Sequence, residues 1–203
     1  MKILSVKISN NNKKLGQYIY SVSLPPMATC YKLPCYKLCY ARRMTIYHTA
    51  VGESWNRNLQ ILLNDPEQYW REVEGAIMMS RYFRWHVGGD IFDYKYFEKM
   101  CEIAKRNPHN QMQCFTKKYD IVNKWIDANG DIPKNLHLIF SGWVGVKMDN
   151  PYNLPECHVL FKNGETEARA GAFICPGFCQ DCAFNKTGCF GVKNGEQIVI
   201  KEH

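Results

Sequence analysis

Apolar and polar residues alternate from Tyr18 through Ser23 and then meet Pro25 and Pro26, which predicts a strand that stops abruptly. Beyond a cysteine-bearing loop, Trp55, Leu59, Leu62 and Leu63 recur at helical spacing. Asp65-Pro66-Glu67 supplies an N-cap with proline at the first helical position, predicting a helix from Pro66 to about Met79. Residues 81–90, RYFRWHVGGD, form an aromatic and β-branched run that ends in two glycines, and a helical stripe of Tyr96, Phe97, Met100, Ile103 and Ala104 follows. The alternation repeats: QMQCF (111–115) predicts a strand, 119–130 a helix closed by Gly130, LHLIFS (136–141) another strand, and His158 to Phe161 one more.

Strands alternating with helices of this length imply right-handed βαβ units on a parallel sheet, either open or curled into a partial barrel. Chemistry in such sheets gathers at the carboxyl ends of the strands. The cysteine loop, Gly88-Gly89-Asp90, Thr116-Lys117 and Ser141-Gly142 would all fall on that edge. At 203 residues and 46% hydrophobic, the chain can bury one good core. The expected organisation is an α/β body over residues 1–150, with a cysteine-rich segment, 151–203, packed on the same domain.

Composition narrows the function classes. MKILSVKISN holds no apolar run of signal-peptide length, and nowhere do 18 apolar residues follow one another, so the expectation is a cytoplasmic protein with no membrane partner. Ten cysteines in a reducing compartment point to metal binding rather than disulfides. The net charge of +7 makes nucleic acid a candidate partner, although the basic residues are scattered apart from Lys13-Lys14, Arg42-Arg43 and Lys117-Lys118. No P-loop, G-x-S-x-G or H-E-x-x-H occurs, which removes support for nucleotide hydrolysis, serine-hydrolase chemistry and zincin proteolysis.

The cysteines fall into two groups. Cys30, Cys35 and Cys39 place three thiols in one loop between a strand and a helix, and three ligands on a cubane would leave one iron open to a further ligand. Cys175, Cys179, Cys182 and Cys189 supply four thiolates within 15 residues, enough to close a site completely. Three of these four crowd one turn, which favours iron–sulfur over zinc, with zinc as the alternative. Cys157 is a further candidate ligand that could complete either site or be buried and inert. Cys101, on a helical stripe, and Cys114, inside a strand, are expected in the core. Gly88-Gly89-Asp90 offers close backbone approach and a carboxylate able to receive an amine or hydroxyl. His86 is a base, a ligand or simply a hydrogen-bonded strand histidine, the last being the commoner case. Lys117 and Lys118 could meet an anion or stand solvated at a helix start.

A strand, a three-cysteine loop ending in CYA, a helix and a later strand ending in Gly-Gly-acid resemble the radical SAM enzymes. In that superfamily three thiolates hold a [4Fe-4S] cluster, S-adenosylmethionine chelates the open iron, and a Gly-Gly-Glu segment contacts its amine. The resemblance implies Cys30, Cys35 and Cys39 as cluster ligands and Gly88, Gly89 and Asp90 as the residues that hold the cosubstrate. This loop is spaced x4 then x3 with Leu38 before its last cysteine, where the superfamily has x3 then x2 and an aromatic. The x3, x2 spacing recurs at Cys175, Cys179 and Cys182, followed by only 21 residues, too few for a barrel.

A closer match is the phage gene product 88 family with its three-cysteine phage relatives. It is carried by CYARR (39–43), RWHVGGDIFDYKYF (84–97), FTKK (115–118), LHLIFSGW (136–143) and the C-terminal cysteines. This resemblance implies a partial, TIM-barrel-like (β/α) barrel of radical-SAM type with a C-terminal cluster-binding loop, in a bacteriophage protein working in the cytoplasm of the infected cell. It implies one or two [4Fe-4S]-type clusters and a redox partner, and reductive cleavage of S-adenosylmethionine if the chain is an enzyme. No residue is assigned a catalytic role. The rival readings are an iron–sulfur protein for electron transfer, redox sensing or structure, and a zinc-stapled nucleic-acid-binding protein whose Tyr and Trp stack on bases.

Overall fold

The computed structural model describes residues 4–10 and 12–202. Strands β1 (Ile19–Val22), β2 (Tyr82–Trp85), β3 (Gln111–Thr116), β4 (Leu136–Ser141), β5 (Glu156–Leu160), β6 (Phe173–Ile174) and β7 (Gln197–Lys201) form one parallel sheet. Their order is β1-β2-β3-β4-β5-β7-β6. Neighbours in space are thus neighbours in sequence through β5. Right-handed crossovers that always step the same way put every connecting helix on one side of the sheet.

The helices are α1 (Pro26–Thr29), α2 (Tyr40–Tyr47), α3 (Thr49–Asn64), α4 (Pro66–Met78), α5 (Tyr94–Arg106), α6 (Tyr119–Asn129) and α7 (Cys179–Asn185). The Asp65 carboxylate accepts from Gln68 N at 2.9 Å and Pro66 opens α4, as the sequence predicts. Asp93 caps α5 in the same way, accepting from Tyr96 N at 2.8 Å, and Gly130 at φ 79° ends α6. The helical pattern around Trp55 resolves into two helices, because His48 leaves helical backbone at φ −128°, ψ 85°. Strand β5 starts at Glu156, earlier than the expected His158, because Glu156 and Cys157 already pair with β4.

Strand periodicity divides the core between the two faces of the sheet. Phe83, Trp85, Met112, Cys114, Leu136, Leu138 and Phe140 pack with residues of α3 to α6, among them Leu59, Tyr69, Val73, Phe97, Val122 and Trp125. The opposite face meets the C-terminal segment. There Ile19 and Tyr82 pack with Leu15, Cys182, Ala183 and Phe190, while Ile139 packs with Cys157, Cys189 and Ile198. Among the described residues no helix is long and apolar enough to cross a membrane.

Candidate functional site

Past β1 the two prolines stop the strand, and the chain turns through α1 and a 3-10 segment, Pro34–Leu38, that together carry Cys30, Cys35 and Cys39. Two tyrosines pin this loop to the carboxyl edge of the sheet. The Tyr31 hydroxyl contacts both carboxylate oxygens of Asp120 at 2.9 and 3.1 Å, and Lys118 Nζ stands 3.7 Å over its ring. At the other end, the Tyr40 hydroxyl donates to the Val87 carbonyl at 2.8 Å. The three half-buried thiols lie within electrostatic reach of one another: Cys35 and Cys39 each disfavour ionisation of Cys30. Burial, more than these neighbours or Asp90, pushes the Cys30 thiol up to about 12, and burial raises Cys35 too. Lys117 opposes both shifts, and its ammonium donates to Ser141 Oγ at 2.6 Å.

Gly88-Gly89-Asp90 lies against this loop. Gly88 N and Val87 N both donate to Ser23 Oγ, at 3.2 and 3.1 Å, and Leu24 N donates to Gly88 O at 3.1 Å. A Cβ on Gly88 would stand 2.2 Å from the Trp55 ring, and one on Gly89, at φ 83°, would stand 2.4 Å from Leu24 O. Both glycines are therefore required by the packing of the protein itself. The buried Asp90 carboxylate accepts from Thr116 Oγ1 at 2.6 Å, Ile91 N at 2.7 Å and Lys117 N at 2.9 Å, and Asp90 N donates to Thr29 Oγ1 at 3.0 Å. Burial pushes the Asp90 carboxyl up and these hydrogen bonds pull it back. Asp90 thus ties together the ends of β1, β2 and β3.

His86 is hydrogen-bonded inside the core. Its Nε2 lies 3.0 Å from the Tyr96 hydroxyl, which lies 2.8 Å from that of Tyr69. Burial, helped by Arg84, pushes the imidazole down to about 3 and keeps it neutral. Cys101 and Cys114 are buried in the core on the helical side, where the sequence places them.

The C-terminal cysteines approach the other face of the sheet. Cys175 N donates to Val199 O at 2.8 Å, and Cys179 N donates to Lys14 O at 2.9 Å, which ties this segment to β7 and to the chain before β1. Cys157 and Cys189 pack with Ile139 and Ile198, and Cys175 lies against them. Cys182 belongs to the neighbouring group around Leu15, Ile19 and Phe190, against which Cys179 also packs. Between the two thiol groups stands Tyr40, whose hydroxyl feels both Cys39 and Cys179, although burial is what chiefly raises it to about 12.

The structure thus gathers the thiols without closing them. Among the described residues no three His, Cys, Asp or Glu side chains are set to hold a metal ion. Arg84, Gln113, Tyr31 and Tyr40 are neighbours of the thiols that the sequence pattern did not single out. The one available signal was an arginine at an inward position of the aromatic strand YFRW.

Comparison with curated proteins and with solved structures gave no match. The family model described as Gene product 88 matches residues 4–154, which span the three-cysteine loop, Gly88-Gly89-Asp90 and β1 to β4. That covers about three quarters of the chain, and the protein accordingly belongs to the Gene product 88 family.

Proposed function

We propose that this is an iron–sulfur protein in which Cys30, Cys35 and Cys39 hold a cluster with one iron open, while the C-terminal cysteines hold a second metal centre. One observation carries the reading: three thiols converge at the carboxyl edge of β1 to β3, pinned from both sides by Tyr31 and Tyr40, with Lys117 beside them. The donor chemistry fits, because thiolates select soft or borderline metals and iron–sulfur clusters over hard cations. The raised Cys30 and Cys35 thiols fit as well: a metal takes thiolates, so its binding expels the protons that burial retains. When bound, such a cluster supplies one-electron chemistry and, at the iron without a thiolate, a position for an added ligand.

The strand order supports a partial barrel of the radical-SAM kind. Strands adjacent in sequence through β5, with helices on one face only, suit a curled β/α sheet better than a doubly wound one, whose strand order reverses. S-adenosylmethionine is the ligand that the family resemblance offers for the open iron. Gly88, Gly89 and Asp90 would then shape the wall beside it through backbone they hold in place.

Anaerobic reconstitution with iron and sulfide tests the proposal. The expected product is brown, with broad visible absorption that C30S/C35S/C39S diminishes. S-adenosylmethionine is then expected to perturb the remaining loop-dependent spectrum. A spectrum unchanged by S-adenosylmethionine removes that ligand and leaves the cluster. A colourless protein with stoichiometric zinc overturns the iron reading.

A further inference from the structure

We propose that Cys157, Cys175, Cys179 and Cys189 form the ligand set of a separate, anionic metal–thiolate centre on the sheet face opposite the helices, with Arg84 and Gln113 turned toward it. The inference rests on reading the C-terminal cysteines as metal ligands, and it adds which thiols bind and what balances their charge.

Arg84 lies on β2, at a position facing away from the helices. Its guanidinium donates to Gln113 Oε1 at 3.1 Å and to Trp85 O at 3.2 Å and lies 4.3 Å over the Phe115 ring. Among the described residues it makes no ion pair with a carboxylate. A half-buried arginine is ordinarily balanced by an anion. Phe115, beneath it, packs against the group that contains Cys157, Cys175 and Cys189.

Gln113 supplies an independent observation. It is 0% exposed, and its Nε2 has no hydrogen-bond partner. Exchanging its amide oxygen and nitrogen would not remove the orphan, because the guanidinium only donates and must face the oxygen. A buried amide donor left unpaired costs about 1–3 kcal/mol, so its retention points to an acceptor in the working protein. Thiolate and sulfide sulfurs accept such N–H bonds, and a centre with four thiolates carries the negative charge that Arg84 lacks.

Cys157 enters the set by position. It is 1% exposed on β5, paired with Ser141 on one side and Ile198 on the other, in the same packed group as Cys189. Cys179 and Cys175 both lie within electrostatic reach of Cys189, as do Cys157 and Arg84. Cys182 turns to Leu15, Ile19 and Phe190 and is hydrogen-bonded to Thr187, so it is left as a packing thiol. The centre would join β5 to the 175–189 segment and fasten that segment over the sheet.

Full-length C30S/C35S/C39S isolates this centre from the loop. After anaerobic reconstitution with iron and sulfide, or with zinc alone, one equivalent of centre per chain is expected, and acid-labile sulfide distinguishes cluster from zinc. Adding C157A, C175A, C179A or C189A should remove most of that metal, and C182A should leave it. Because Cys157 is buried, each variant is scored only where its circular dichroism matches the parent, and C189A against C182A tests the same set independently. R84Q should release metal to a chelator several-fold faster, with R84K restoring much of the retention. Metal lost in C182A but kept in C157A and C189A overturns the ligand set. No metal in the loop variant, while the loop still binds iron in the wild type, overturns this centre and leaves the loop proposal standing.

Discussion

At Gly88 a single methyl group decides whether β2 can deliver Asp90 to its partners. An added Cβ would stand 2.2 Å from Cη2 and Cζ3 of Trp55, so the indole or the backbone must move. Glycine to alanine at position 88 should cost about 1–3 kcal/mol, as overpacking does, and W55L should recover part of it in a double-mutant cycle read by urea unfolding. His86 makes a second residue-scale prediction. Its folded value, near 3, lies below the unfolded value of 6.5, so between these pH values the unfolded chain holds more protons than the folded one. Its contribution to stability is complete above about pH 6.5 and falls by up to about 1.4 kcal/mol per pH unit on acidification toward 3. Asn suits the left-handed backbone at this position, φ 56°, and lacks the titration, so H86N should show a shallower loss of urea midpoint between pH 7 and pH 4. Equal slopes in the two proteins would contradict the assignment. The sequence showed His86 as an ambiguous strand histidine. Only the fold reveals that Tyr96, ten residues later on α5, is its partner.

The three-cysteine loop is an element with little regular structure of its own, and the bonds from Tyr31 and Tyr40 hold it in place. Y31F and Y40F should each speed amide exchange between residues 30 and 40 while leaving β3 and β4 unchanged, since each removes one anchoring hydrogen bond worth about 1 kcal/mol. Uniform exchange changes across the sheet would show instead that the tyrosines support the whole fold. The buried thiols of Cys30 and Cys157, both near 12 in the folded chain against 9.0 otherwise, make the metal-free protein lose stability as pH rises above about 9. Metal loading should flatten that loss, read as urea midpoints at pH 8 and 10. The central elements were legible because α4 and α5 carry their own caps and β1 to β4 their own periodicity. Elements α7, β6 and β7 were not. The two-residue β6 has no period to read, and β7 exists by pairing with β5 some forty residues earlier.

For the whole molecule, the face of the sheet opposite the helices matters most. The C-terminal segment covers it, bringing Ala183, Cys189 and Phe190 onto Ile139, Ile19 and Tyr82. That the two cysteine groups occupy neighbouring regions of one molecule was not visible in their spacing. It depends on the register that sets Arg84 beside Gln113 and on Tyr40 reaching back to β2. What was legible was the separation of the thiols into a set of three and a larger set. The central claim is that Cys30, Cys35 and Cys39 hold an iron–sulfur cluster with one iron free of protein thiolate. Mössbauer spectroscopy of C157A/C189A reconstituted with ⁵⁷Fe, recorded with and without S-adenosylmethionine, addresses it directly. A cluster spectrum in which one iron differs from the others and alone responds to the added ligand is the predicted result. Absence of cluster iron, or cluster iron that persists when Cys30, Cys35 and Cys39 are all replaced, would contradict the account.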